Sequence, residues 1–250
     1  MNENDIIYGK NAVIEALNSN TREINKILIL RTLHSDQKVT SIKELAQSKG
    51  IVFQFVGKEK FQEYSSLNHQ GIIANVSPIK YVELDEFLEK ENYENESIAI
   101  LDGIEDSHNL GAIIRTAVCA GVKAIIIPSR RNVQVNSTVD KVSAGAINRI
   151  PIIKVNSIQN AIEKLKKSNW WVVAADASAR QNYYDVDYTD MNFVLVMGAE
   201  HAGVSKTVLN AADFTVKIPM LTDFNSLNVS NAFSTIIFET VRQKLSKITK

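Results

Sequence analysis

From residue 97 to the end of the chain, short unbroken apolar runs alternate with stretches of helical periodicity, and that alternation leaves few folds open. Ile98–Leu101, Ala124–Ile127, Ile150–Val155, Trp170–Ala175, Phe193–Met197 and Phe214–Ile218 read as strands, and residues 109–120, 137–146, 157–168, 204–211 and 230–247 read as helices. A strand apolar at every position, rather than at every second one, has to be covered on both faces. The pattern therefore predicts an α/β domain with a mostly parallel sheet, helices on both sides, and ligands at the carboxyl ends of the strands.

The first part of the chain repeats the theme on a smaller scale. Asn11–Leu17 and Ser41–Lys49 are helical, the latter stopping at Gly50; Ile24–Leu30, Ile51–Val56 and Gly71–Val76 are strand-like, and a further helix falls between the last two. Between the two parts lies an acidic stretch. Residues 81–96 hold seven acids and one base and read as an exposed helix plus linker, so we place domains at 1–78 and 97–250 with a linker at 79–96.

The acidic stretch also governs how the charge is read. The formal net charge is zero, which by itself argues against a nucleic-acid partner, yet outside residues 81–96 there are 27 basic against 21 acidic residues. That surplus is compatible with RNA. No apolar run is long enough to cross a bilayer, and the start, Met1 to Asp5, lacks the basic-then-apolar order of a signal peptide, so a cytoplasmic protein is expected. The one cysteine, Cys119, sits in the run Ala117-Val118-Cys119-Ala120 and is expected in the core. Four scattered histidines and one cysteine give no metal-ligand spacing, so no metal is expected.

Three loops that follow predicted strands are richer in polar side chains than a plain core needs. The first, Asp102 to Gly111, leads into Ala112-Ile113-Ile114-Arg115-Thr116. Asn109 there reads as a helix N-cap or a site residue. Arg115, bracketed by Ile113, Ile114, Ala117 and Val118, is expected to be partly enclosed. The second loop, Met197-Gly198-Ala199-Glu200-His201-Ala202-Gly203-Val204-Ser205, has the glycine spacing of a phosphate-cradling loop, with Val204 where the lysine belongs. A nucleotide hydrolase is disfavoured on that substitution, although the backbone N–H groups remain available to some ligand. The third comprises Ile218-Pro219-Met220 and Ser226-Leu227-Asn228-Val229-Ser230-Asn231, whose Ser and Asn residues exceed what one helix start requires. No glycine pair is spaced G-x-G, which excludes the dinucleotide fingerprint.

Taken together and in order, the loops resemble the signature motifs of the SpoU branch of the SPOUT RNA methyltransferases. Asn109, Gly111, Arg115 and Thr116 resemble its first motif, Gly198, Glu200 and Gly203 its second, and Ile218–Met220 with Ser226–Ser230 its third. Tyr8 to Leu17, and His69-Gln70-Gly71-Ile72, are similar to the small substrate-binding domain of members that modify a guanosine of large-subunit ribosomal RNA. The resemblance implies a C-terminal domain with a trefoil knot, an N-terminal α/β domain related to ribosomal proteins, a homodimer, and transfer of a methyl group from S-adenosylmethionine to a ribose 2′-hydroxyl of ribosomal RNA. Carried over by position, Asn109, Arg115, Glu200, Ser226 and Asn228 form the catalytic surroundings. Met197, Gly198, Gly203, Ile218, Met220 and Leu227 line the cofactor pocket.

The chain departs from the family pattern in places. Ser107 stands where proline is usual, His201 where glycine is frequent, and Asn148-Arg149 where Glu-His is common. Thr222-Asp223 replaces a glycine; if a positive φ were needed there, a β-branched residue would be strained. A non-catalytic RNA-binding protein that keeps the fold stands as the alternative.

Overall fold

The computed structural model describes residues 6–19, 22–90, 93–200, 202–223 and 226–248; Met1–Asp5, Glu91 and His201 lie outside them. The chain divides into two units, one made of residues 1–80 and 134–149, the other of 81–133 and 150–250.

In the first unit, β1 (Ile6–Tyr8), β2 (Ile24–Leu30), β3 (Val52–Val56) and β4 (Ile72–Val76) form a sheet in the order β1-β4-β2-β3 among the described residues. β4 runs antiparallel to both of its neighbours, while β2 and β3 are parallel and joined through α2 (Gln37–Ser48). Asp36 starts α2 by accepting from the backbone N–H groups of Lys38 and Val39, two donors that a helix start leaves unsatisfied. Val39, Ile42 and Ala46 then fall on one face and are fully buried. They meet α1 (Lys10–Asn18) and the sheet in a core that includes Val13, Leu17, Ile27, Ile29 and Ile72.

The later segment in this unit departs from the sequence reading. Instead of one helix over 137–146, α5 covers Ser137–Val142, Ala144 (φ 52°) and Gly145 (φ 86°) reverse the chain, and a 3₁₀ turn follows at Ala146–Arg149. Arg22 donates to the Asp140 carboxylate at 2.5 Å, with both side chains almost wholly buried, and also to the carbonyl of Ser77. Arg149, one of the departures noted above, is ion-paired with Glu15.

The second unit is built on seven strands among the described residues, all parallel: β5 (Ser97–Asp102), β6 (Ala124–Pro128), β7 (Ile152–Val155), β8 (Trp170–Ala175), β9 (Gln181–Asn182), β10 (Asn192–Gly198) and β11 (Phe214–Lys217). Their order is β7-β6-β5-β10-β8-β11-β9. Ile98 to Leu101 and Phe193 to Val196 are wholly buried in the two central strands, each of these side chains except Ala99 contributing roughly 1.5–3 kcal/mol of transfer free energy. Helices α4 (Ser107–Cys119), α6 (Ile158–Lys167), α7 (Lys206–Ala211) and α8 (Val229–Ile248) cover this sheet, α4 packing against α8.

The acidic stretch is not simply exposed. Its helix α3 (Leu84–Glu89) buries Leu84 and Phe87; the Phe87 ring stacks on Tyr93 with centroids 5.0 Å apart, and Tyr93 in turn lies 5.4 Å from Trp170. Acids point outward while two apolar residues three positions apart anchor the helix. Among the described residues, no helix is long and apolar enough to cross a membrane.

Candidate functional site

The strand order turns round at the centre of the parallel sheet: β5 passes through α4 to β6 on one side, whereas β10 sits on its other side beside β8. In register, Gly198 at the end of β10 lies opposite Asp102 at the end of β5, so the loops after these strands begin side by side. Such a reversal in a doubly covered parallel sheet leaves a crevice at the carboxyl edge.

The helix after β5 starts two residues earlier than the sequence suggests. Asp106, not Asn109, is the N-cap: its side chain accepts from the backbone N–H of His108, and Ser107 is the first helical residue, a position that tolerates proline equally. Asn109 is thereby released from capping. It is buried, and its Nδ2 donates to Glu200 Oε1, in the loop after β10.

Asn228 completes the cluster from the third loop. Its Nδ2 donates to Asn109 Oδ1 at 3.0 Å and lies 3.4 Å from Glu200 Oε1. Its Oδ1 accepts from the backbone N–H of Ser230 at 2.9 Å and from the Ser230 hydroxyl at 2.6 Å, which makes Asn228 the N-cap of α8 as well. One amide serves both purposes, and its orientation is fixed by them. Because the backbone N–H requires an oxygen, the amide nitrogen must face Asn109 and Glu200, and a carboxylate accepts only. Glu200 is exposed, and its other oxygen, Oε2, has no hydrogen-bond partner among the described residues.

Beside the cluster is a cavity of about 580 Å³, within the range of small-molecule sites. Met197, Gly198, Gly203, Ile218, Met220 and Leu227 all line it, as do Glu200 and Ser226. Ser226 is exposed. Gly198 is needed for a close approach: a Cβ there would stand 2.0 Å from the carbonyl carbon of Gly203 and 2.2 Å from the nitrogen of Val204. The loop between them closes by a 2.8 Å hydrogen bond from the Gly203 N–H to the Ala199 carbonyl. Asp102 holds the far end of this loop by accepting from the Ser205 N–H; burial pushes its carboxyl above the ordinary range and that bond pulls it part of the way back. Thr222 is not in the positive-φ region, so the strain envisaged for it does not arise.

Arg115 is not with the others. It is exposed, makes no hydrogen bond or ion pair among the described residues, and does not line the cavity. Cys119 is likewise exposed rather than buried. Both corrections have one cause. The core-facing stripe of α4 is Leu110, Ile113, Ile114 and Ala117, and at 100° per residue positions 115 and 119 share the opposite face, whatever their sequence neighbours.

Two contributors escape the sequence reading. Asp102 is one. The other is Ala175-Asp176-Ala177-Ser178 after β8, which lines the cavity with an Asp176 carboxylate fixed by the N–H and hydroxyl of Ser178. The readable signal was its place at a strand end, since its composition is that of any polar connection.

Comparison with known proteins places these features in context. The model of the SpoU rRNA Methylase family matches residues 96–238, and that for RNA 2′-O ribose methyltransferase substrate binding matches residues 6–82. A Staphylococcus epidermidis protein named as a TrmH family tRNA/rRNA methyltransferase is 40% identical over 244 residues, covering 97% of each chain. Among solved structures, the SpoU methyltransferase AviRb of Streptomyces viridochromogenes superposes with a TM-score of 0.82 at 22% identity, over 97% of this chain and 90% of that one. An AdoMet-bound rRNA methyltransferase of Sinorhizobium meliloti gives 0.79 at 26%, over 95% and 86%.

Proposed function

Because the chain belongs to the SpoU rRNA Methylase family, we propose that it transfers the methyl group of S-adenosylmethionine to a ribose 2′-hydroxyl of ribosomal RNA, at a guanosine of the large subunit. The observation that carries this reading is the union of three sequence-distant loops, through Asn109, Glu200 and Asn228, at the edge of a cavity lined by Met197, Gly198, Gly203, Ile218, Met220 and Leu227.

The cavity fits that cofactor in size and in the mixture of its lining. Leu209, Ile218, Leu227 and Ile236 offer apolar surface, Asp176 offers carboxylate acceptors to sugar hydroxyls, and the glycine-restricted loop 198–204 brings backbone close. When bound, S-adenosylmethionine supplies a methyl group on an already activated sulfonium. What remains for the protein is to orient the acceptor hydroxyl and ease loss of its proton. Glu200, held through one oxygen by two amides, is oriented to accept a hydrogen bond from the ribose through the other. An arginine holds its proton too firmly to serve as a base. The uncommitted Arg115 is suited instead to clamping the nucleotide phosphate and stabilising the developing alkoxide.

We infer a homodimer as part of the same reading. α8 leaves Phe238 44% and Leu245 59% exposed, and the neighbouring α4 presents Arg115 and Cys119; a second copy packed there covers apolar surface and carries an otherwise idle guanidinium to a site.

Incubation of the protein with methyl-labelled S-adenosylmethionine and ribosomal RNA from cells lacking it is expected to give label in large-subunit RNA at a 2′-O-methyl position. Cofactor binding without transfer to any RNA would favour the non-catalytic alternative. Nucleotide binding in place of S-adenosylmethionine would remove the assignment altogether.

A further inference from the structure

In the first unit, far in sequence from the cluster just described, a turn at residues 68–71 is built with unusual care. Gln70 (φ 52°) and Gly71 (φ 77°) are both left-handed. Gly71 is held to glycine by that left-handed backbone, and an added Cβ would in addition stand 3.2 Å from Leu30 Cβ. The His69 Nδ1 accepts from the Gly71 N–H at 2.8 Å, and its ring packs on Phe61 with centroids 4.7 Å apart. An imidazole accepting at Nδ1 carries its proton on Nε2. Burial and the Lys141 ammonium both hold the ring below its ordinary pKa, which keeps it neutral and able to accept that bond.

The turn is also braced from outside. Lys141 donates its ammonium to the Asn68 carbonyl and rests 4.6 Å from the centre of the Tyr8 ring, while the Lys10 backbone N–H lies 3.4 Å from Gln70 Oε1. After all this bracing, three hydrogen-bonding groups remain without partners among the described residues: the side-chain amide of Asn68, the His69 Nε2–H and the Gln70 Nε2. Asn68 and Gln70 are exposed. On the adjoining segments Lys10 is ion-paired with Asp36, whereas Lys38 donates to the neutral Asn11 amide, so the flank keeps one cation beyond its acid.

Gln70 is the informative residue. A glycine would take its left-handed conformation without strain, so stability alone does not explain a long amide there; strained residues persist where the side chain has a task. We propose that Asn68, His69 and Gln70 form a base-reading surface for unpaired nucleotides of a structured RNA. Adjacent amide and imidazole edges match the hydrogen-bonding edges of bases splayed from a loop, and Lys38 on the flank suits a phosphate. This inference rests on the RNA-methyltransferase reading and assigns its RNA-recognition surface.

The test uses the full chain carrying Asn68→Ala and Gln70→Gly together. Asn68→Ala keeps the carbonyl that Lys141 holds, and Gln70→Gly relieves the backbone, so neither change endangers folding. The expected result is an increase of roughly 10- to 100-fold in both the Kd and the KM for ribosomal RNA, with kcat at saturating RNA and the Kd for S-adenosylmethionine within about twofold of wild type. An unchanged RNA Kd overturns the proposal. A wild-type protein that binds RNA without methylating it would sink the proposed activity instead, and the same Kd comparison would still decide the role of the turn.

Discussion

Replacing Gly198 by alanine tests the site at its tightest point. The added methyl would stand 2.0 Å from the Gly203 carbonyl carbon, 2.2 Å from the Val204 nitrogen and 2.3 Å from the Gly203 oxygen. Non-bonded carbon atoms prefer about 3.5–4.0 Å, so one of the two backbones has to retreat by roughly 1.5 Å. Neither can do so freely. Gly198 is in register with Asp102 at the centre of the sheet, and Val204 is only 6% exposed, packed into the core of the second unit. Overpacking of this kind costs about 1–3 kcal/mol of folding stability. The functional cost is expected to be larger, since Gly198 and Gly203 both line the cavity and a shift of about 1 Å in a positioned site costs on the order of 10²-fold in rate. Calorimetry should show the Kd for S-adenosylmethionine raised at least about tenfold, equivalent to about 1.4 kcal/mol. Methyl transfer to ribosomal RNA should fall by about two orders of magnitude while far-UV circular dichroism stays native. A variant that binds the cofactor within twofold of wild type would refute the claim that this close approach shapes the pocket.

Arg115→Ala is expected to abolish turnover while leaving cofactor affinity and stability within about 0.5 kcal/mol of wild type, because the side chain is exposed and unpartnered; retained turnover would reject a role at the reacting nucleotide. Asp140→Ala leaves the buried Arg22 guanidinium uncompensated and should cost about 3–5 kcal/mol in urea unfolding, and a loss below about 1 kcal/mol would show that the pair is structurally idle. His69 has a pKa depressed in the folded state, so it adds stability above its unfolded value of about 6.5 that is lost as pH falls through the folded value. The stability advantage of wild type over His69→Gln should therefore shrink between pH 7 and pH 5, and a constant difference would contradict the assignment.

Much of the second unit was legible because a strand buried on both faces must be apolar in its interior, and Ile98–Leu101, Ala124–Ile127, Val172–Ala174 and Phe193–Met197 are. Helix starts were less so. Asp106, Ser107 and Asn109 are all good N-caps within four residues, and only the hydrogen bond to His108 decides among them. Arg115 and Cys119 were misread because sequence neighbours were weighed instead of the helical stripe; the spacing of Leu110, Ile113, Ile114 and Ala117 already contained the answer. The two residues of β9 carry no periodicity to detect. The Arg22–Asp140 pair joins positions 118 apart, which no local pattern encodes.

The polar loops raised an ambiguity, cap or site, that the fold resolves in a way neither reading anticipates. At the start of α4 the roles are separated, Asp106 capping and Asn109 serving the cluster; at the start of α8 they are combined in Asn228. The combination has a physical consequence. An isolated asparagine amide can present either end to a neighbour, but once its oxygen is committed to the N–H of Ser230 its nitrogen can only donate onward. That fixes Asn109 Oδ1 as the acceptor, turns Asn109 Nδ2 toward Glu200, and leaves a carboxylate oxygen with a defined direction and no partner among the described residues. The position of that oxygen is thus set by where a helix begins. A backbone N–H at a helix start cannot be reoriented without unwinding the first turn, so the cluster inherits the rigidity of α8 from a bond that looks, in sequence, like ordinary capping.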